Sequence, residues 1–381
     1  MELRSCAFTG NGAWGGLCND PYNNPVSAVG GAIDNEGTLS VDLCTFTGNS
    51  AAGDAGVLVS GYSCQGGFGG GGAILTGTSL LTVDRSTFRG NVATGGDGAS
   101  GILFPYGVPG GNAGGGAGGA IYGPGSVWRS LLVSNVVTGG RGGDNGCFRP
   151  SRPQNGGVGG DALGAAVYAG ATLVNCTVAF NAADGGAGGA GNPPGAGGWA
   201  DGGVVCVGSA VNCTIASNLA QGNGASVGTG ASSVNTLIAS NTPAGGDTFA
   251  DPKLGPLTNN GGPTLTMALL PGSPAIDAGN TALAPATDQR GFPRPAGLAA
   301  DIGAFEYGSV MPAILVNRSG ATGLTILASG NANQSCRLLS SVDLATWVPI
   351  ATNCIGSGGT VLFNDTCAPG DACRFYRLVM P

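Results

Sequence analysis

The sequence predicts an all-β protein, most of it wound as a parallel β-helix. A short motif, FTGN at residues 8–11, recurs as FTGN at 46–49 and FRGN at 88–91, and weaker copies continue to Asn241. Runs of alternating apolar and polar residues lie between the copies, as in half-buried strands, and no segment has a convincing helical period. Ordered repeats of this kind are typical of a solenoid, in which each repeat forms one coil.

Composition excludes several other classes. The 381 residues include 77 glycines and 22 prolines but no histidine, and only 9% are charged. Without histidine there is no Ser-His-Asp triad and no imidazole ligand for a metal. The formal net charge is −7 and Lys253 is the sole lysine, so we expect no binding to nucleic acid. The 42% of hydrophobic residues suffices for a core, and no apolar stretch is long enough for a transmembrane helix.

Each coil combines short strands with a loop of variable length. In the second coil, Leu39, Val41, Cys44 and Phe46 alternate so as to point inward, with a corner at residues 42–43. The extra residues of the longer repeats are mostly glycine, and we interpret them as loops that leave the coil at one corner. Glycine-rich chains pack as polyproline-II-like strands where only glycine fits, so we expect these loops to lie side by side.

The repeated asparagines predict ladders along the solenoid. Equivalent residues of successive coils stack about 4.8 Å apart, so their amides can bond to one another. Asparagine also tolerates the left-handed backbone of a bend. The first predicted ladder comprises Asn11, Asn49, Asn91, Asn135, Asn181, Asn218 and Asn241, and a second, at an earlier corner, comprises Asn175, Asn212 and Asn235.

Four cysteines occupy a single repeat position. Cys6, Cys44, Cys176 and Cys213 share it with two serines, so we expect a buried column of small residues. Lone cysteines in successive coils lack the paired spacing of a metal site. Two GGD segments, at 95–97 and 142–144, resemble calcium-binding nonapeptides only in part, so we expect no metal or other cofactor and keep calcium at these segments as the alternative.

Two motifs together carry a family resemblance. The sequence GGAI at 30–33, 71–74 and 118–121, paired with the FxxN motif, resembles the repeats of chlamydial polymorphic outer-membrane proteins and related bacterial β-helix proteins. The resemblance implies a right-handed parallel β-helix of the pectin-lyase-like kind over residues 1–248. It also implies a protein that is secreted or exposed on a bacterial surface.

A second resemblance covers residues 249–308. The segments PGSPAIDAG at 271–279, DQRG at 288–291 and DIGAFE at 301–306 resemble the choice-of-anchor Q domain of bacterial secreted proteins, which implies surface attachment but no reaction. Its charged residues admit acid–base catalysis or a structural cap, and we favour a cap that covers the open end of the β-helix and is locked by ion pairs. The residues concerned are Asp277, Asp288, Arg290, Asp301 and Glu306.

Residues 309–381 change in style. Glycine becomes rarer and β-patterned runs appear, and this part resembles a small C-terminal β-sandwich module of verrucomicrobial and planctomycete surface proteins. Four cysteines allow three pairings, of which we favour Cys336–Cys354 with Cys367–Cys373 because it closes two local loops. Cys18 and Cys64 form a further candidate disulfide between neighbouring loops. Such cysteines favour an oxidising compartment.

An enzymatic function is the main alternative to a surface scaffold. Parallel β-helices include polysaccharide lyases and hydrolases, and the best candidate catalytic residues here are Asp42, Asp84, Arg85 and Arg129, which stack beside Arg4 at one corner. A ladder of opposite charges explains them equally well. We favour a non-catalytic adhesin or envelope scaffold, with glycans or another cell surface as partners; a purely structural envelope component is a third possibility.

The sequence starts within a coil. Residues 1–8 align with the middle of a coil, and no signal peptide precedes them. We therefore expect further coils or a cap upstream in the natural gene.

Overall fold

The computed structural model confirms the predicted fold class. Stacked parallel sheets form a β-solenoid, and an antiparallel β-sandwich follows it. The structure describes residues 1–16, 25–59, 61–78, 80–101, 108–145, 154–200, 205–221, 227–241, 251–319, 323–366 and 373–380.

Three long parallel sheets and one short sheet form the solenoid. The first sheet is interrupted in the early coils and continuous in the late ones. Its leading half contains Ile33–Asn35, Ile74–Thr76, Ile121–Tyr122 and Val167–Tyr168, its trailing half contains Glu2–Arg4, Leu39–Asp42, Leu81–Asp84, Ser126–Trp128 and Thr172–Val174, and Val205–Val211 and Val227–Val234 complete it. The second sheet contains Ala7–Thr9, Thr45–Thr47, Thr87–Arg89, Leu131–Val133, Thr177–Ala179, Thr214–Ala216 and Leu237–Ala239. The third contains Gly12–Trp14, Ser50–Ala52, Val92–Thr94, Val136–Thr138, Ala182–Asp184 and Leu219–Gln221. The short fourth contains Ala28–Val29, Gly69–Gly70, Gly116–Ala117 and Ala162–Leu163, and a separate hairpin pairs Leu58–Val59 with Tyr62–Ser63.

The core runs along the axis of the solenoid. The four residues of the second coil that were predicted to point inward, Leu39, Val41, Cys44 and Phe46, are all fully buried. The rings of Phe8, Phe46 and Phe88 stack in successive coils with centroids 4.7 Å apart and nearly parallel planes. Identical side chains therefore repeat at the spacing of the strands, which is why the motif phenylalanine recurs.

The seven-membered asparagine ladder is present. Each amide nitrogen from Asn11 to Asn218 donates to the Oδ1 of the next asparagine at 2.8–3.0 Å. The same Oδ1 accepts the backbone N–H of the preceding ladder residue. The left-handed residue is not the asparagine but the one before it, as at Gly48 and Ser134. The prediction was thus right about the amide bonds and wrong about which residue makes the bend.

The second asparagine set behaves in the opposite way. Asn175, Asn212 and Asn235 have φ between 48° and 52°, so each makes the left-handed corner as expected. They do not form a continuous ladder: Asn235 donates its amide N–H to Asn212 Oδ1 at 3.3 Å, but Asn212 does not continue the chain to Asn175. Their amides instead donate to carbonyls of Thr287, Asp301 and Asn280, in the segment that follows the solenoid.

The cysteine column lies beside the first corner, where Cys44, Cys176 and Cys213 are buried and Cys6, in the first coil, is partly exposed. Cys44 N–H donates to Ser86 Oγ at 3.0 Å, and Ser86 N–H donates to Ser130 Oγ at the same distance. Each side chain also donates to the carbonyl two residues earlier, as Cys44 does to Asp42. Burial raises the pKa of the Cys44 and Cys176 thiols, so both are neutral. The column consists of small residues, as the sequence predicted, and the structure adds that their side chains are hydrogen-bonded.

The glycine-rich loops pack as a hydrogen-bonded layer beside the solenoid. One row of bonds links Gly96 N–H to Gly67, Gly114 N–H to Gly96 and Gly140 N–H to Gly114 at 2.8–3.0 Å. A second row lies three residues away in each segment, and this three-residue period is that of polyproline II. A Cβ on Gly140 would lie 2.0 Å from the carbonyl oxygen of Gly96. The structure thus supports the hypothesis that the loops lie side by side where only glycine fits.

Residues 251–308, the flanking segment, lie along the side of the solenoid. They contain the antiparallel strands Leu254–Thr258 and Thr266–Leu269 and a 3-10 turn at Thr281–Leu283. Outward residues of the second sheet are buried in the last four coils, for example Leu131 and Leu237, whereas Thr45 of the second coil is exposed. The sequence put this segment over the open end; its described contacts instead run across the face of four successive coils.

The C-terminal part is a two-sheet sandwich. One sheet contains Ala313–Ser319, Gly323–Ser329 and Thr360–Thr366, and the other contains Val348–Cys354, Ser335–Ser341 and Phe375–Val379. The predicted Cys336–Cys354 disulfide is absent, and Cys336, Cys354 and Cys373 are free thiols. The register pairs Cys336 with Asn353, so Cys354 lies on the opposite, exposed face of the sheet. Cys18 and Cys367 lie outside the described residues, so the pairings Cys18–Cys64 and Cys367–Cys373 stay predictions.

Candidate functional site

The charged residues predicted as the best catalytic candidates form a ladder at the first corner. The Arg85 guanidinium donates two hydrogen bonds, of 3.0 and 2.8 Å, to the carboxylate of Asp42 in the coil before. Arg129 binds Asp84 in the same bidentate way, with its Nε 2.9 Å from Oδ1. Arg4 reaches Asp42 from the first coil at 3.4 Å. The structure therefore brings all the candidates together.

Backbone conformation places these side chains. Arg85 and Arg129 occupy the left-handed corner, with φ of 46° and 44°, where asparagine stands in later coils. This corner directs each arginine towards the aspartate of the preceding coil, and the two planar groups match as paired forks. Both oxygens of each aspartate are thereby engaged. A carboxylate held in this way is poorly placed to act as a free base.

The charged residues of the flanking segment form a buried network. Arg290 binds Asp288, its N–H groups also reach the Glu306 carbonyl, and its guanidinium lies 3.7 Å from the centroid of the Phe305 ring. Burial lowers the pKa of the Arg290 guanidinium. Asp288 further accepts the N–H groups of Phe292 and Glu306. The expected Arg–carboxylate lock is present, although it closes a side face.

Two more carboxylates complete this network. Glu306 accepts from Arg294 at 2.7 Å and from the N–H of Ala296, and Asp301 accepts the N–H groups of Asp277 and Tyr307. Burial raises the pKa of the Asp301 and Glu306 carboxyls. Both are nearly inaccessible to solvent, so no substrate reaches them. Asp277 binds the N–H of Ala299 through its own carboxylate.

Sequence reasoning missed two anchors of the flanking segment. Arg294 pairs with Glu306 inside the segment, and Gln289 joins the segment to the solenoid by accepting from Thr177 and donating to the Ser130 carbonyl. A signal for the contact was present in the sequence. Residues 131–133 read LLV, which breaks the polar–apolar alternation of TFT at 45–47, as expected for a strand buried on both faces.

The carboxylates of the GGD segments bind the loop layer. Asp97 accepts the N–H of Arg141 at 2.7 Å, and Asp144 accepts the N–H of Ala190 and pairs with the Arg141 side chain. The hydrogen bond from the Ala190 N–H, followed by the Arg141 pair, lowers the pKa of the Asp144 carboxyl. Within the described ranges, no group of three or more His, Cys, Asp or Glu is arranged to hold a metal ion.

The outer face of the first sheet carries a different set of residues. Strand register aligns Asp34, Leu75, Tyr122 and Tyr168 in one outward column along its leading half. A parallel column of hydroxyl side chains lies on the trailing half and comprises Ser40, Thr82, Ser126 and Thr172. Next to it the arginine–aspartate ladder continues into Trp128, which is 41% exposed.

Aromatic rings are concentrated on the leading half. The Tyr122 and Tyr168 rings lie 5.6 Å apart, and Phe68 packs edge-on against Tyr122 with centroids 5.7 Å apart. The column ends in a shallow depression of about 300 Å³ between the coils, where Leu75 lies beside the carboxylates of Asp34 and Glu36. This face combines ring surfaces, hydroxyls and carboxylates that are half-buried or exposed.

Comparison with known proteins shows no relative: the chain matches no family model, no curated protein and no solved structure. What is shown is a parallel β-solenoid followed by a β-sandwich. Among the described residues there is no helix long and apolar enough to cross a membrane.

Proposed function

We propose that this protein is a non-catalytic, secreted or surface-exposed β-solenoid that acts as an adhesin-like binding scaffold. The polymorphic-outer-membrane-protein repeats, the choice-of-anchor Q segment and the bacterial surface location are parts of the same proposal. The observation that carries it is the state of the candidate catalytic residues. Asp42 and Asp84 are each held by a bidentate arginine, Asp288 and Glu306 are buried in ion pairs, and Asp301 is buried and accepts backbone N–H groups.

The geometry also favours a rigid, extended binding surface. Seven coils spaced about 4.8 Å apart give a rod roughly 30 Å long. Side-chain ladders and the flanking segment fix the coils against one another. Such a surface binds through several contacts repeated along the rod, which suits a polymeric ligand such as a glycan.

The test separates binding from turnover. The protein is incubated with neutral and acidic polysaccharides, with calcium or with chelator, and both reducing ends and unsaturated products are followed. Retention on the same polymers is measured in parallel. We expect no product in any condition. Product release that is lost in Asp84→Ala or Arg129→Ala, and retained in the matched surface variant Arg141→Ala, would establish the lyase or hydrolase alternative instead.

A further inference from the structure

We infer that the outer face of the first sheet is a binding site for a neutral polysaccharide, with Tyr122 and Trp128 as its stacking platforms. The inference rests on the proposed function and assigns it to a place on the molecule. Within one coil, Ile121 and Val127 point into the core, so Tyr122, Ser126 and Trp128 all point outward. Two aromatic rings thus flank a hydroxyl on a single coil.

The spacing suits a short stretch of a sugar chain. Tyr122 and Trp128 are six positions apart, which limits the separation of their Cα atoms to about 20 Å along an extended strand. Neighbouring coils extend the site along the rod, with Tyr168 beside Tyr122 and a row of serine and threonine hydroxyls between the tyrosine column and the column that contains Trp128. Sugar rings present apolar C–H faces to aromatic rings and hydroxyls at their edges, and this face offers partners for both.

The charges on this face favour a neutral ligand over an acidic one. Asp34 and Glu36 line the depression at one end of the tyrosine column, and both are exposed. At the opposite margin Arg85 and Arg129 are engaged by Asp42 and Asp84, and the more exposed Arg4, in the first coil, lies 3.4 Å from Asp42. Beside the tyrosine column a uronate polymer would therefore meet carboxylates, whereas the hydroxyls of a neutral glycan can donate hydrogen bonds to them.

The experiment is affinity electrophoresis of the whole chain through gels that contain galactomannan, hydroxyethyl cellulose or polygalacturonate. We expect retention by at least one neutral polymer and less by polygalacturonate. Tyr122→Ala and Trp128→Ala should each weaken the apparent affinity by about fivefold to tenfold, the loss of one stacking contact. Tyr122→Phe keeps the ring and should remain within about twofold of the wild type.

Matched controls come from aromatic residues on other faces. Trp14, in the third sheet, and Trp199, beside the glycine layer, are 72% and 57% exposed, so Trp14→Ala and Trp199→Ala should leave retention unchanged. Thermal midpoints and circular dichroism show that each variant is folded. Three outcomes would overturn the proposed site but leave the scaffold function in place. Retention could be unchanged in Tyr122→Ala and Trp128→Ala, it could fall equally in the control variants, or it could be strongest on polygalacturonate. Absence of retention on every neutral polymer also overturns the site, whereas product release refutes the proposed function itself.

Discussion

Each asparagine of the ladder should contribute to the free energy of unfolding in proportion to the number of hydrogen bonds that its side chain makes. Asn135 is fully buried in the middle of the ladder. Its Oδ1 accepts the backbone N–H and the side-chain amide N–H of Asn91. Its own amide donates to Asn181 Oδ1 at 2.9 Å and to the Phe88 carbonyl at 3.1 Å. Asn135→Ala removes four hydrogen bonds and leaves the Asn91 backbone N–H without an acceptor. At about 1 kcal/mol per bond, the expected loss of unfolding free energy is about 4 kcal/mol.

Asn11 supplies the matched control. It occupies the same repeat position in the first coil, where it is exposed, and its side chain donates one ladder bond, to Asn49. Asn11→Ala should therefore cost about 1 kcal/mol or less. Asn135→Asp should be at least as harmful as Asn135→Ala, because a carboxylate oxygen would face Asn181 Oδ1 and the Phe88 carbonyl in a buried position.

The assay is urea denaturation followed by circular dichroism, combined with hydrogen exchange of the peptide that contains Asn91. Hydrogen exchange reports local opening even where a repeat protein does not unfold in a single step. We expect faster exchange at Asn91 in Asn135→Ala and no change there in Asn11→Ala. If the free energies of unfolding of Asn135→Ala and Asn11→Ala differ by less than about 1 kcal/mol, the ladder is a consequence of the fold and not a source of its stability.

Three further predictions follow from the same contacts. Gly140→Ala should destabilise the protein by about 1–3 kcal/mol, because the new Cβ would clash with the Gly96 carbonyl oxygen. A Cβ on Gly77 would meet no atom within 4 Å, so Gly77→Ala should change stability by about 0.5 kcal/mol at most in the same thermal denaturation assay. Equal effects of the two variants would argue against tight packing in the glycine layer. Burial raises the pKa of the Glu306 carboxyl, so the folded state binds its proton more tightly than the unfolded chain does. The thermal midpoint of the wild type relative to that of Glu306→Gln should therefore rise as pH falls from neutrality towards 4.5. A fall of this difference over the same range would contradict a raised pKa for Glu306. Thiol labelling mapped by mass spectrometry should modify Cys354 and Cys373 in the native protein and Cys336 only after unfolding, whereas resistance of Cys336 in denaturant without reductant would reveal a disulfide.

Local patterns were enough to predict the solenoid. Alternation around Leu39 and Phe46 gave the inward face, and the recurrence of asparagine gave the ladder, because both depend on spacing within one coil. The position of the flanking segment depends on contacts between residues more than a hundred positions apart, such as Asn175 with Thr287. Only an indirect sign, the loss of alternation at residues 131–133, pointed to it.

The charged site shows a second limit. Spacing in the sequence correctly predicted that Asp84 and Arg129 lie at one corner. It did not predict their bidentate hydrogen bonding, which decides between a catalytic base and an ion-paired ladder. The cysteines of the sandwich fail for a related reason. Closing a short loop between Cys336 and Cys354 looks favourable in sequence, yet a shift of one residue in strand register puts the two thiols on opposite faces.

Fixed and variable parts of each coil explain where a binding function can reside. The column of small hydrogen-bonding residues and the asparagine ladder are always five residues apart, as in Cys6 and Asn11 or Thr236 and Asn241, since both must stay in register along the rod. Variation in coil length is therefore displaced into the glycine loops, where the three-residue period of the layer constrains it again, and into the turn between the two halves of the first sheet. The outward positions of the first sheet escape both constraints. A ligand that spans several coils would therefore contact side chains that can vary from coil to coil, at a spacing that the ladders keep constant. Tyr122 and Trp128 lie on this surface.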